Sequence, residues 1–297
     1  MKAAPFEYYP AQSLEHALQL LKEHGDDVKL IAGGQSLVPM MAMRLAKPGH
    51  LVDIHRLSEL QGINIVDGFL RTGATVKQCT LEQSPLAQKI PLFGIALPWI
   101  GHQQTRNRGT VGGSLAHADP SAELPLIATL LGAKIHFQSI DQGQRHCLAN
   151  ELFLGPMWTN IDPQECLTHI DWPIWSGSGI GYAFEETSIR QGDFAMASAA
   201  TQLQLDSQQK VLRMTFGVGG MGGTPYCFDD LSQSMLGHPL NNDAIDQLVD
   251  KAIQQTEPAS DLHASAPYRR NLAKTLLKRT MQQAAQLALT SSKSSSS

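Results

Sequence analysis

Cysteine is scarce in this sequence, and the cysteines that are present form no recognisable pattern. Four of them stand at positions 79, 147, 166 and 227 of the 297 residues. No two are spaced as C-x-x-C, and no Cys/His cluster has the spacing of a zinc or iron–sulfur site. The sequence therefore predicts no metal site, and we expect four ordinary thiols.

Long apolar runs and a strong net charge are also missing. No stretch approaches the roughly 20 apolar residues of a membrane span, and the start, MKAAPFEYYP, lacks the apolar segment of a secretory signal. The cytoplasm is the expected compartment, and structural disulfides are not expected there. The net charge is only −4, without a basic run that carries interleaved aromatic residues. Nucleic acid is therefore not an expected ligand.

Common catalytic signatures are absent as well. There is no G-x-S-x-G elbow and no H-E-x-x-H metal motif. The P-loop pattern G-x-x-x-x-G-K-[ST] is missing, and no G-x-G-x-x-G opens a βαβ unit. We therefore expect neither a hydrolase, nor a P-loop nucleotidase, nor a Rossmann domain, and we assign no catalytic acid, base or nucleophile.

The apolar pattern indicates a chain of mixed helices and strands. Ser13 is the expected N-cap of a first helix, which Gly25 ends, and a short buried strand follows at residues 28–32. The Trp/Pro/Gly-rich stretch at 172–181 suggests a boundary. The runs beyond it predict strands first and helices afterwards, at 195–205, 211–218, 243–255 and 267–289. This order is typical of an α+β domain.

Two glycine-containing segments carry the strongest chemical signal. Ala32-Gly33-Gly34-Gln35-Ser36 follows the first strand directly, and Thr110-Val111-Gly112-Gly113-Ser114 stands shortly before Asp119 and Glu123. The stretch 101–114 fits neither the helical nor the strand period, so we expect it to be irregular. Glycine pairs let the backbone approach a ligand closely, and successive N–H groups can form a concave site for anionic oxygens. Either segment alone is better explained as a tight turn, whereas the two together support a turn and a diphosphate site without a lysine about equally.

Four longer blocks, which follow one another over nearly the whole chain, resemble a single protein family. VKLIAGGQSLVPMMAMRLAKPGHLVDI and RNRGTVGGSLAHADPSAELP are similar to the two FAD-binding segments of the medium subunit of aerobic carbon monoxide dehydrogenase and its relatives. GYAFEETSIRQGDFAMA and DLHASAPYRRNLA are similar to later parts of the same subunits. Four blocks in order are far more specific than a pair of glycines.

The resemblance implies an α+β fold with a FAD-binding domain of the vanillyl-alcohol-oxidase, or PCMH, type. In that fold FAD extends between two α+β subdomains, which we expect at about 1–57 and 58–175. A C-terminal α+β domain of antiparallel strands and helices, of the carbon monoxide dehydrogenase flavoprotein type, is expected at 176–290. The serine-rich end at 291–297 is expected to be disordered.

The resemblance also implies a set of FAD-binding residues. They are Ala32, Gly33, Gly34, Gln35, Ser36, Leu37, Thr110, Val111, Gly112, Gly113, Ser114, Asp119 and Glu123. The first segment is expected to wrap the diphosphate, the second to approach it from the other side, and Glu123 to accept hydrogen bonds from the ribose or the adenine side. Gln35 stands where histidine is frequent in carbon monoxide dehydrogenase medium subunits, so this position cannot titrate.

The implied function is electron transfer within a molybdenum-containing hydroxylase. The implied partners are a molybdopterin-binding large subunit and a [2Fe–2S] small subunit, assembled as a dimer of heterotrimers. FAD would take electrons from the iron–sulfur clusters and pass them to a terminal acceptor. Two alternatives remain: a stand-alone FAD-dependent oxidoreductase of the same fold, and a scaffold subunit with a degenerate flavin site. The substrate and the terminal acceptor stay open.

Overall fold

The structure is a computed structural model that describes residues 2–294. The helices are α1 (Leu14–His24), α2 (Leu37–Ala42), α3 (Gln78–Gln83), α4 (Pro91–Ala96), α5 (Gln103–Arg106), α6 (Val111–His117), α7 (Glu123–Leu131), α8 (Ala149–Leu152), α9 (Asp229–Ser234), α10 (Asn242–Gln254) and α11 (Ala266–Ser294). The strands are β1 (Glu7–Pro10), β2 (Val28–Ile31), β3 (His50–Asp53), β4 (Ile63–Val66), β5 (Phe69–Gly73), β6 (Lys134–Ser139), β7 (Gly143–Leu148), β8 (Phe153–Gly155), β9 (Trp158–Thr159), β10 (Cys166–Pro173), β11 (Ile180–Thr187), β12 (Ala197–Leu205), β13 (Val211–Gly219) and β14 (Tyr226–Cys227).

The chain forms two compact units, and each of them takes more than one segment of the sequence. The first unit takes the described residues of Met1–Ala87, His102–Ala118 and Ala133–Trp172. The second takes those of Gln88–Gly101, Asp119–Gly132 and Pro173–Ser297. No helix among the described residues has the length and apolar character to cross a membrane.

A small parallel sheet in the first unit, in the order β1-β3-β2, packs against α1. The Ser13 side chain caps this helix by accepting a hydrogen bond from the amide of His16 at 3.1 Å. Gly25 ends the helix with a φ of 56°, a conformation that costs little without a Cβ. The predicted first helix and the strand predicted at 28–32 are confirmed, whereas β1 was not predicted.

A larger sheet in the first unit has the strand order β4-β5-β10-β6-β7. Side chains alternate between buried and half-buried along β6, because successive residues of a strand point to opposite faces. His136 lies on the half-buried face of β6. In the register of the sheet it stands directly beside His169 of β10 on one side and His146 of β7 on the other. Three histidines therefore lie in one row across three strands.

The second unit is built on the antiparallel sheet β11-β12-β13-β14. The helix α11 covers one face so closely that a Cβ on Gly181 would lie 1.8 Å from the carbonyl oxygen of Ala284. The helix α7, whose nine residues are all buried, contacts β13. There the Thr215 hydroxyl donates to the carbonyl oxygen of Leu130 at 2.8 Å.

Two local expectations differ from the structure. The stretch 101–114 is not irregular throughout, because α5 lies in it and α6 begins at Val111. Two glycines at the start of α6 weaken its helical pattern, and hydrogen bonds to another part of the chain hold it in place. At the other end, α11 extends to Ser294, so residues 291–294 of the expected disordered tail are helical. The rest of that tail lies outside the described residues.

Candidate functional site

Residues 32–37, the first glycine loop, lead from β2 into Leu37, the first residue of α2. Gly34 has a φ of +70°, which glycine adopts without strain. Within the described part of the chain, residues 2–294, the amide N–H groups of Gly33 through Leu37 donate to no other group. These five successive donors are at most partly covered by the chain. A row of unsatisfied amides is a site for anionic oxygens.

Residues 110–114, the second glycine loop, lie directly beside the first. A Cβ on Gly33 would meet the carbonyl oxygen of Arg108 at 2.2 Å and the Cα of Gly109 at 2.9 Å. Only glycine allows the first loop to come this close to the backbone that leads into Thr110. The structure thus brings together the two segments that are 77 positions apart in the sequence, as counted from Gly33 to Thr110.

From Val111 to Ser114, the amides of the second glycine loop already donate hydrogen bonds within the chain. Val111 and Gly112 each donate at 2.9 Å, to the carbonyl oxygens of Val76 and Ala74. The Thr110 hydroxyl accepts from the Gly113 amide at 3.1 Å and so caps α6. This loop therefore offers an exposed glycine at Gly113 and the half-buried Ser114 hydroxyl, but no row of free amides.

Asp119 and Glu123, the two acidic residues of the expected site, belong to the second unit. A carboxylate oxygen of Asp119 accepts the amide of Ser121 at 2.9 Å, which stabilises the turn before α7. Glu123 is the first residue of α7, and its side chain is buried. A buried carboxylate in this position can accept hydrogen bonds from hydroxyl or amino groups.

A further buried carboxyl, Glu186 on β11, was not predicted from the sequence. Among the described residues, neither of its side-chain oxygens has a hydrogen-bond partner, and the same holds for the hydroxyl of Ser198, which stands opposite on β12. Burial, together with the negative charge of Glu123, raises the pKa of Glu186 to about 8. The side chain therefore holds a proton at neutral pH. A glutamate in an otherwise regular strand gives no sequence signal for this state.

The five amides of the first glycine loop allow the fit to FAD to be tested. Its diphosphate carries negative charge on oxygens that accept hydrogen bonds, and neutral amide donors of this kind bind such groups. Gly33 lets the two glycine loops lie in contact, and Gly113 adds an exposed glycine beside them. The residues that are present therefore fit the diphosphate of FAD.

Comparison with known proteins leads to the same cofactor, FAD. Residues 4–175 match the family described as "FAD binding domain in molybdopterin dehydrogenase", and residues 182–284 match "CO dehydrogenase flavoprotein C-terminal domain". The alpha subunit of the 6-hydroxypseudooxynicotine dehydrogenase complex of Paenarthrobacter nicotinovorans is 39% identical, and the match covers 96% of each chain.

Solved structures agree with this. A chain of reconstituted CO dehydrogenase from Oligotropha carboxidovorans superposes with a TM-score of 0.93 at 33% identity, covering 97% of this chain and 100% of that one. A chain of quinoline 2-oxidoreductase from Pseudomonas putida 86 gives a TM-score of 0.91 at 33% identity, with the same coverage. The expected family and fold class are confirmed. The chain thus belongs to the FAD-binding domain family of molybdopterin dehydrogenases, and is an FAD-dependent oxidoreductase subunit of the carbon monoxide dehydrogenase and xanthine dehydrogenase type.

Proposed function

We propose that the first glycine loop is the principal diphosphate site of this flavin subunit. The observation that carries this proposal is the run of five unsatisfied amides from Gly33 to Leu37. In a site that excludes part of the solvent, these donors replace the water that the phosphate oxygens lose. Ala32 and Gln35 complete the loop, and the Gln35 side chain donates to the carbonyl oxygen of Gly33 at 3.2 Å. That bond stabilises the turn itself.

The remaining residues of the proposed FAD site have different tasks. Gly112 and Val111 fix the second glycine loop through their backbone bonds, Thr110 caps the helix behind it, and Gly113 and Ser114 present its open surface. Asp119 and Glu123 supply carboxylates suited to the hydroxyl and amino groups of the nucleoside part.

Electron transfer within a larger complex is the proposed task of the bound cofactor. Bound FAD would supply both one-electron and two-electron transfer, and the protein's contribution is to bind and orient it. The proposed partners are a molybdopterin-binding large subunit and a [2Fe–2S] small subunit, in a dimer of heterotrimers. The cytoplasm is the proposed compartment, and all four cysteines are free thiols in the described structure.

The substrate of the complex is not set by this subunit. By their names, the similar proteins act on 6-hydroxypseudooxynicotine, carbon monoxide and quinoline, at 33 to 39% identity. Enzymes that are named for such different substrates share one fold of the flavin subunit. This supports a common electron-transfer subunit that is combined with different molybdenum subunits.

The first test is the flavin content of the purified, desalted full-length chain. We expect the absorption bands of oxidised flavin and about one FAD per chain after release. A folded but colourless protein that takes up no added FAD, even with its partner subunits, would refute the proposal and favour the scaffold alternative. Substrate turnover by the isolated chain would instead favour a stand-alone oxidoreductase.

A pair of glycine variants tests the loop itself. In Gly33→Ala the new Cβ meets the backbone of Arg108, so the two glycine loops must separate and FAD should be lost. Gly94→Ala is the matched control, because a Cβ at that position meets no atom within 4 Å. Equal FAD content in both variants would show that contact between the loops is not needed for binding.

A further inference from the structure

The half-buried face of the larger sheet in the first unit carries a cluster that the flavin site does not use. The rings of His136 and His169 stack with their centroids 4.0 Å apart, and His146 lies 5.5 Å from His136 on the other side. Asp171, two residues after His169 on β10, reaches the same place. Its carboxylate oxygen lies 3.0 Å from Nε2 of His136.

The hydrogen bonds around the cluster determine where the protons lie. When the Thr168 hydroxyl donates its proton to the carbonyl oxygen of His136 at 3.2 Å, its contact with Nδ1 of His169 at 3.0 Å is a bond donated by the ring. In that tautomer Nε2 of His169 keeps a free lone pair. Because a carboxylate only accepts, Nε2 of His136 donates to Asp171 in the metal-free chain. An ion shared by His136 and Asp171 would take the place of this proton, since metal binding of this kind releases protons. With one ring nitrogen of His169, the cluster offers three ligand atoms to one ion.

Asp171 is held in place and still has capacity as a ligand. Arg71 on β5 donates to its two oxygens at 2.7 and 2.8 Å. A carboxylate has about four lone-pair positions, and Arg71 and His136 use three of them. Carboxylates and imidazoles that are oriented by such outer partners are typical of metal sites.

We propose that His136, His169 and Asp171 bind one divalent transition-metal ion, with Zn²⁺ as the reference case. One potential ligand atom from each residue lies within 4.8 Å of the other two, so that small ring rotations bring all three to an ion. Two nitrogens and one oxygen suit Zn²⁺ and Cu²⁺ rather than Mg²⁺ or Ca²⁺. The ion links β6 to β10 and leaves a coordination position open to water or to His146.

The positive charge of Arg71 limits the affinity of this site. Its guanidinium lies next to Asp171 and repels a divalent ion, so the two imidazoles supply most of the binding. We expect a dissociation constant in the micromolar range rather than the much tighter binding of a structural four-ligand zinc site.

The test is Zn²⁺ binding to the full-length chain without a polyhistidine tag. The protein is stripped with EDTA, desalted and titrated with ZnCl₂ in competition with a chromophoric chelator. We expect about one Zn²⁺ per wild-type chain and binding weakened at least about tenfold in His136→Gln and in His169→Gln. His263→Gln, which changes an exposed histidine of the second unit, should bind like wild type. Equal Zn²⁺ affinity in wild type and both cluster variants overturns the site, and the FAD content shows whether each variant is folded.

A second measurement needs no variant. Cu²⁺ added to the wild-type chain in place of Zn²⁺ should give an electron paramagnetic resonance spectrum with hyperfine coupling to two imidazole nitrogens. A spectrum without nitrogen coupling at one equivalent of Cu²⁺ overturns the site as firmly as the titration would.

Discussion

Replacing Glu186 by glutamine should change the way in which the free energy of unfolding depends on pH. The side chain is 6% exposed, and its oxygens have no hydrogen-bond partner among the described residues. In the unfolded chain it ionises near its ordinary pKa of 4.5, whereas in the fold it keeps its proton up to a pKa of about 8. The folded state thus binds more protons than the unfolded state between these values. Stability from this group therefore falls as the pH rises through that window and levels off above it.

The size of the effect follows from the displacement of the pKa. At about 1.4 kcal/mol for each tenfold change in the equilibrium constant, a pKa raised from 4.5 to about 8 has a ceiling of about 5 kcal/mol. Water penetration and local relaxation reduce such penalties in real proteins, so we expect a loss of about 2 to 4 kcal/mol between pH 5 and pH 9. Glutamine has nearly the same volume and no charge to desolvate.

The assay is urea unfolding at 25 °C over this pH range, with the same excess of FAD in every sample. Other groups titrate too, so the measured quantity is the difference in unfolding free energy between Glu186→Gln and wild type at each pH. Glu185→Gln is the control, since this neighbour points to the opposite face and pairs with Arg279 and Gln283. If the Glu186→Gln curve runs parallel to wild type, the carboxyl is not held neutral and the reasoning fails.

Three further variants have expected outcomes. Arg145→Met leaves the buried Glu165 carboxylate without its cation, which should cost about 3 to 5 kcal/mol in urea unfolding; a loss below about 1 kcal/mol would contradict that pairing. Thr110→Ala removes the cap of α6, so it should lower the free energy of unfolding by about 1 kcal/mol and reduce the FAD content. Unchanged flavin binding would show that the cap is dispensable. Gly181→Ala pushes a methyl group into the backbone of Ala284 and should lower the free energy of unfolding by at least about 2 kcal/mol. An unchanged melting temperature would show that α11 can shift to make room for the methyl group.

Local chemistry explains which parts of the fold could be predicted. The first helix carries its own cap, periodic apolar face and terminal glycine, so Ser13 and Gly25 define it almost alone. The strands β7 and β10 were not predicted. β7 is mostly exposed and polar. β10 has no regular alternation, because six of its eight residues are buried and they lie on both faces of the strand. Their places in the sheet follow from pairing with β6, which is a contact between distant segments.

The candidate site could also be predicted only in part. Glycine pairs beside hydroxyl residues are visible in the sequence, and the family resemblance named the residues of both loops. The structure adds which amides are unsatisfied, and this depends on where Val76 and Ala74 stand in space. The histidine cluster was invisible for the same reason, because His136 and His169 become neighbours only through strand register.

The burial of α7 has a consequence for how this chain reaches its folded state. All nine residues of α7 are buried, yet the contact of Leu130 with Thr215 closes a separation of 85 residues. During synthesis the helix is complete long before its strand exists, and a contact of that span forms slowly. In the meantime its leucines are open to aggregation or to a chaperone. A chain cut after residue 175 lacks β12, β13 and β14, on which this helix packs. The segment that matches the flavin-binding family should therefore stay soluble only when the later strands accompany it.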